Sequence, residues 1–248
     1  MKKEVVIKIE HVSKTYRVGE KDMSTLGERL ISTLRRRSFR EIKALDDINL
    51  EIYKGEFFGI IGHNGSGKST LLKLILGAFP PDKGGNIEVK GRIIRLALGL
   101  GFNANLSGRD NIYLNASLMG IRFKDIGKRF KDIVSFAGLE EFINTPVKYY
   151  SSGMVSRLAF SIALHVDSDI FLMDEFFGGV GDINFREKSE EVFRQRILDG
   201  RTIVHVSHNL ETVKKICDRV LLLHHGKPIV IGNPEEVLSI YHEIMSKV

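Results

Sequence analysis

The sequence predicts an α/β domain with a mainly parallel core sheet, antiparallel β additions and an inserted helical subdomain. Short apolar β-type runs recur as "VVIKI", "FFGII", "DIFLM", "TIVHV" and "RVLLL". Helical apolar patterns follow residues 67, 153, 184, 209 and 235, so strands and helices alternate as they do around a parallel sheet. Residues 103–166 form a mostly helical insertion between strands.

Taken in order, "VVIKI" opens the chain as a strand of this sheet. Residues about 20–42 are less regular. There "STLGERLISTLRRRSFREI" begins with a possible capping box, Thr25-x-x-Glu28, and puts Leu26, Leu30 and Leu34 on one face before Arg35, Arg36 and Arg37. This amphipathic helix has two readings: a surface helix packed on its own domain, or one lying near lipid headgroups or a membrane partner. "INLEIY" and "GKPIVIG" read as antiparallel strands at the sheet's edges, and residues 234–248 as a terminal helix.

At 248 residues and 43% hydrophobic, the chain can bury a full core, and residues 1–248 are expected to form one domain with a subdomain. Its single cysteine, Cys217, excludes an internal disulfide framework and suits a reducing cytoplasm. No run approaches the roughly 20 apolar residues of a membrane span. The opening "MKKEVVIKIEHV" is interrupted by Glu4, Lys8 and Glu10, unlike a signal peptide. Membrane contact is therefore expected to be peripheral or through a partner. A net charge of +6 is compatible with nucleic acid, an anionic membrane face or a phosphate ligand, and does not separate them.

The strongest chemical signal is "GIIGHNGSGKST". Gly62, His63, Asn64, Gly65, Ser66, Gly67, Lys68, Ser69 and Thr70 match G-x-x-x-x-G-K-[ST] and its flank, between the strand "FFGII" and an apolar helix. Glycines let backbone N–H groups wrap phosphates, Lys68 supplies a point charge, and the Ser69 hydroxyl suits Mg²⁺. Such a loop needs a metal-orienting carboxylate at another strand's end. "DIFLMDE" supplies Asp174 for the Mg²⁺ shell and Glu175 to polarise an attacking water; solvated acids capping a strand are the alternative. "TIVHVSHN" ends a further strand at His208, within reach of a γ-phosphate, while His205 inside that strand reads as a packing residue. A two-histidine metal site lacks a third ligand nearby in sequence, and His224 and His225 read as a strand end. In "KYYSSGMVSRLAF", Ser151, Ser152 and Gly153 stand at the mouth of a helix, either as an ordinary serine cap or as a site for an anion.

These motifs, in this order, resemble the nucleotide-binding domains of ABC transporters over nearly the whole chain. The resemblance implies Mg²⁺ and ATP as cofactors, catalytic roles for Lys68, Glu175 and His208, and Mg²⁺ held by Ser69 and Asp174. It implies a homodimer in which Ser151, Ser152 and Gly153 bind the γ-phosphate of ATP held by the opposite subunit. Tyr16 matches the aromatic on which adenine stacks, hairpin packing being the alternative. Asp182 looks like the acid along the dimer interface, seven residues after Glu175 and one farther than the commonest spacing. The family's glutamine between sheet and helical subdomain is absent: the one glutamine is Gln195, beyond Glu175. Asn103 or Asn105 are the substitutes on offer.

The loop "LGLGF…LSGRDNIYLN", the "KYYSSGM…RLAFSIA" stretch and the arginine-rich insertion narrow the resemblance to the ATPase subunits that export lipid-linked polysaccharides such as O-antigen, capsule or teichoic acid. That implies a peripheral protein at the cytoplasmic face of the inner membrane. Its partners would be two copies of an integral membrane permease subunit, with a lipid-linked glycan as cargo and no nucleic acid. Some members carry a C-terminal carbohydrate-recognising domain; here "NPEEVLSIYHEIMSKV", up to Val248, is expected as a terminal helix. The alternatives are an ABC ATPase exporting lipid, drug or peptide, and a soluble ABC regulator; the latter is disfavoured by one cassette without coiled-coil heptads.

Overall fold

The computed structural model describes residues 3–19, 39–96, 101–174 and 200–246. Strands β1 (Val5–Gly19), β2 (Phe39–Tyr53) and β4 (Asn86–Val89) form a three-stranded antiparallel sheet in the order β2-β1-β4. The second sheet has six strands in the order β5-β6-β7-β3-β8-β9, from β3 (Phe57–Ile61), β5 (Ile93–Leu96), β6 (Ile170–Asp174), β7 (Thr202–Val206), β8 (Arg219–His224) and β9 (Lys227–Gly232). All its neighbours run parallel except β8 and β9, which form an antiparallel hairpin.

The run "VVIKI" therefore lies outside the parallel sheet to which its sequence assigned it. Its residues explain why. In β1, Ile7 and Ile9 are buried while Lys8 and Glu10 are half-exposed, a one-sided pattern that suits an antiparallel layer. In β3 and β7 every residue is buried, as required of central parallel strands covered on both faces. Residues 39–42, at the end of the expected insertion, are strand: Tyr16 pairs with Ile42, and Arg17 with Glu41, whose side chains form an ion pair at 2.9 Å. The rest of the amphipathic stretch, Glu175, Asp182, Gln195 and the helical pattern after residue 184 lie outside the described residues.

Alternating side chains of the parallel strands build two cores. Phe58, Ile60, Leu172, Val204 and Leu221 face the antiparallel sheet, with helix α1 (Lys68–Ile75) packed between. Leu71, Leu72, Leu74 and Ile75 of α1 are all buried, so this short helix depends on tertiary packing. Phe57, Ile61, Phe171, Met173 and Ile203 face the other way, toward α2 (Gly108–Leu118), α3 (Phe123–Ala137), α4 (Ser152–Leu164), α5 (Leu210–Ile216) and α6 (Pro234–Met245). Side-chain caps fix where several helices start. Ser107 accepts from the Asp110 N–H at α2, and Asn233 from the Glu235 N–H just ahead of Pro234 at α6. Cys217 is buried against Gly59, where a Cβ would come within 2.9 Å of its Sγ, and burial pushes its thiol up to about 12.

Candidate functional site

Register across the parallel sheet assembles one edge. Asp174 of β6 is paired with Val206 of β7, and Val206 with Ile60 of β3, so the three stand in one row. At about 4.8 Å per strand, the outer two backbones are separated by roughly 10 Å. Beyond Ile60 the chain enters the Gly62–Lys68 loop, and beyond Val206 it reaches His208, which is exposed. All three features open at the carboxyl ends of parallel strands, where α/β sheets bind ligands.

The loop's backbone is dictated by its glycines. Gly62 has φ 151°, and a Cβ there would come within 2.2 Å of the Leu223 carbonyl oxygen. Gly67, at φ 107°, caps α1, and a Cβ would meet the Ala44 oxygen at 2.6 Å. Strand β2 and the β8 end thus press on the loop from two sides. Lys68 is only 6% exposed and donates from Nζ to the carbonyls of Gly62 (2.7 Å) and His63 (2.9 Å). Ser66 is fully buried, and its Oγ has no hydrogen-bond partner among the described residues. Asn64, Gly65 and Ser69 are exposed, Thr70 is half-buried, and the space a side chain would occupy at Gly65 is open. An interior ammonium under a glycine loop with an open face fits a polyanion such as nucleotide phosphates. The hydroxyl of Ser69 and the carboxylate of Asp174 are hard oxygens that suit Mg²⁺.

Other expected residues are placed with more contrast. Asp174 bonds through Oδ2 to Nη2 of Arg95, the partner strand's penultimate residue, at 2.9 Å. Nothing in the sequence flagged that pair. Tyr16 is half-buried on β1, in the antiparallel sheet whose strand β2 also touches the loop. Ser151 caps α4 and accepts from the Met154 N–H at 3.2 Å, so the capping reading holds within this chain. Ser151 and Ser152 are exposed, and a Cβ at Gly153 would touch nothing closer than Ser151 Oγ at 3.8 Å. That glycine answers no close approach among the described residues.

Asn103 and Asn105 are exposed and bonded to each other, the Asn105 N–H donating to Asn103 Oδ1 at 3.0 Å. Their loop is held by Asn111, a buried hub that the sequence reading missed. It accepts from the Asn103 N–H and donates to the carbonyls of Asn103, Leu106 and Ser107. His205 is buried and meets the Phe57 ring edge-on at 6.0 Å; burial holds its imidazole down to about 4, so it is neutral.

The structure corrects the expectation that no third ligand accompanies a histidine pair. His224 and His225 end β8 as expected, but His63 of the loop lies against both, with ring centroids 4.9 and 4.5 Å away. Burial, and then the neighbouring His225 and His63, push the His224 imidazole below its ordinary range.

Comparison with known proteins agrees with this architecture. A family model described as ABC transporter matches residues 45–178. The chain is 39% identical over 248 residues to the O-antigen export system ATP-binding protein RfbB of Klebsiella pneumoniae, covering 97% of this chain and 99% of that protein. It is 41% identical over 237 residues to the teichoic acids export ATP-binding protein TagH of Levilactobacillus brevis, covering 96% of this chain and 64% of that one. Among solved structures, a dimeric ATP-binding cassette in a post-hydrolysis state bound to ADP and Pi superimposes with a TM-score of 0.70 at 24% identity, over 92% of this chain and 98% of that one.

Proposed function

The chain belongs to the ABC transporter family, and from that premise we propose that it is the ATP-hydrolysing subunit of an exporter of lipid-linked polysaccharide. The observation that carries the ATPase reading is the shared row of Ile60, Val206 and Asp174, which sets the phosphate loop, His208 and Asp174 along one edge, with Glu175 the next residue in sequence. The cargo rests on the near full-length likeness to an O-antigen export ATP-binding protein. The subunit works as a homodimer at the cytoplasmic face of the inner membrane, docked on two copies of an integral membrane permease that contact the lipid-linked glycan.

In this reading the backbone from Gly62 to Thr70 wraps the phosphates of ATP, and Lys68 turns its ammonium from the Gly62 and His63 carbonyls toward them. Ser69 and Asp174 hold Mg²⁺, which neutralises charge on the phosphates when bound. Glu175 accepts a proton from the attacking water, and His208 donates a hydrogen bond to the γ-phosphate oxygens. Tyr16 stacks on adenine. Ser151, Ser152 and Gly153 complete the site of the opposite subunit from the mouth of α4, with Asp182 at the interface between them.

Glu175→Gln is the test. The variant is expected to bind ATP while hydrolysing it on the order of 10²- to 10⁴-fold more slowly. Unchanged turnover would remove Glu175 from the catalytic role. With ATP and Mg²⁺ present, membranes pulled down with this variant are expected to yield a polytopic protein and a sugar-bearing lipid, both identifiable by mass spectrometry. A polytopic protein accompanied by another class of molecule would keep the transport and change the cargo; ribosomal or DNA-bound material without a membrane subunit would overturn the exporter reading.

A further inference from the structure

The parallel register that pairs Ile61 with Leu222 carries the chain two residues on, to His63 on one side and His224 on the other. His225 follows as the first residue of the two-residue turn between β8 and β9, and the three rings close on one another with centroids 4.3 to 4.9 Å apart. Interplanar angles of 56° to 74° rule out a flat stack, and one nitrogen from each ring lies within 4.8 Å of one from each of the others. We propose that His63, His224 and His225 form a binding site for a divalent cation of the zinc, nickel or copper class, clamping the phosphate loop to the β8–β9 turn.

Three observations argue for a built site over a chance gathering of surface rings. The main chain holds the spacing: the Gly226 N–H donates to the Ser66 carbonyl at 3.0 Å and the Asp46 N–H to the Gly226 carbonyl at 2.9 Å, tying turn, loop and β2 together. His63 Nδ1 lies 2.7 Å from its neighbour's carbonyl, Asn64 O. That contact places the proton on Nδ1 and leaves the Nε2 lone pair for a ligand, the carbonyl support that metal-bound imidazoles ordinarily have. His225 holds φ at 46°, a left-handed conformation that a two-residue hairpin normally gives to asparagine or glycine. Keeping a histidine there is a backbone strain that asparagine or glycine would relieve.

The donor set selects the cation. Three nitrogens suit borderline divalent ions and offer nothing to Mg²⁺ or Ca²⁺, which take oxygen. Metal–nitrogen bonds of about 2.0 to 2.1 Å place ligand nitrogens roughly 3.4 Å apart in a tetrahedron, a closure that rotation of exposed His225 supplies. The Nε2 of His63 would give up a long 3.4 Å contact with the His225 N–H to make its bond. With three protein ligands and His225 at the surface, the fourth position faces water.

The test uses the full chain, purified without a polyhistidine tag and free of nucleotide, titrated with Co²⁺ and then competed with Zn²⁺. Wild type is expected to bind one equivalent with the strong visible absorption of tetrahedral cobalt, which Zn²⁺ bleaches. His225→Asn keeps a residue that tolerates the left-handed turn, and is expected to bind at least about tenfold more weakly while its circular dichroism and ATP affinity stay unchanged. His224→Gln should behave likewise. A wild type showing only weak, octahedral-type absorption would overturn the site. So would affinity undiminished in both variants, since the ion would then sit elsewhere.

Discussion

The guanidinium of Arg95 and the carboxylate of Asp174 meet at 2.9 Å across adjacent parallel strands, both side chains roughly a quarter exposed. The carboxylate proposed to hold Mg²⁺ thus already has a cation beside it. Removing that cation relieves electrostatic competition for the metal. Arg95→Met is therefore expected to lower the Mg²⁺ concentration that half-saturates ATP hydrolysis and to cost on the order of 1 kcal/mol in urea unfolding. A higher Mg²⁺ requirement would mean that Arg95 orients Asp174 for the metal instead of competing with it.

Gly62→Ala would drive a methyl group to within 2.2 Å of the Leu223 carbonyl at a φ of 151° that side chains avoid. The atom it meets is main-chain, so it cannot rotate away as a side chain would. A loss of about 3 kcal/mol or more is expected in chemical denaturation. Near-wild-type stability would show that the loop has another low-energy conformation.

Gly153→Ala separates the two readings of the α4 mouth. Within one chain the new methyl finds open space, and alanine in place of glycine near a helix start should leave stability unchanged or raise it by up to about 1 kcal/mol. If a second subunit brings nucleotide against that backbone, ATP turnover should nevertheless fall, and mixed dimers with wild type should lose one of two sites. Full activity alongside full stability would leave Ser151 as a helix cap and nothing more.

His205 is buried and held at about 4, below its ordinary 6.5, so the unfolded chain binds its proton more readily. Stability should be unaffected by this group above pH 6.5 and should fall as pH drops from 6.5 toward 4. Its share is about 2 kcal/mol between pH 7 and pH 5. His205→Gln should flatten that part of the unfolding free-energy profile, and an unaltered slope would assign the pH dependence to other groups.

Contiguous patterns made much of this protein legible before folding was considered. The glycine loop, the fully apolar runs of β3 and β7, the acid ending β6 and the serine opening α4 each lie within a dozen residues, where periodicity, capping and φ demands are local properties. Sheet membership of β1 was misassigned because an apolar run states that a strand is buried, while the layer that buries it is chosen by pairing with β2 and β4. Arg95 and Asp174 are 79 residues apart, and His63 and His225 are 162 apart. Strand order and register alone bring those pairs together, because a parallel sheet aligns the carboxyl ends of segments that the chain itself keeps far apart.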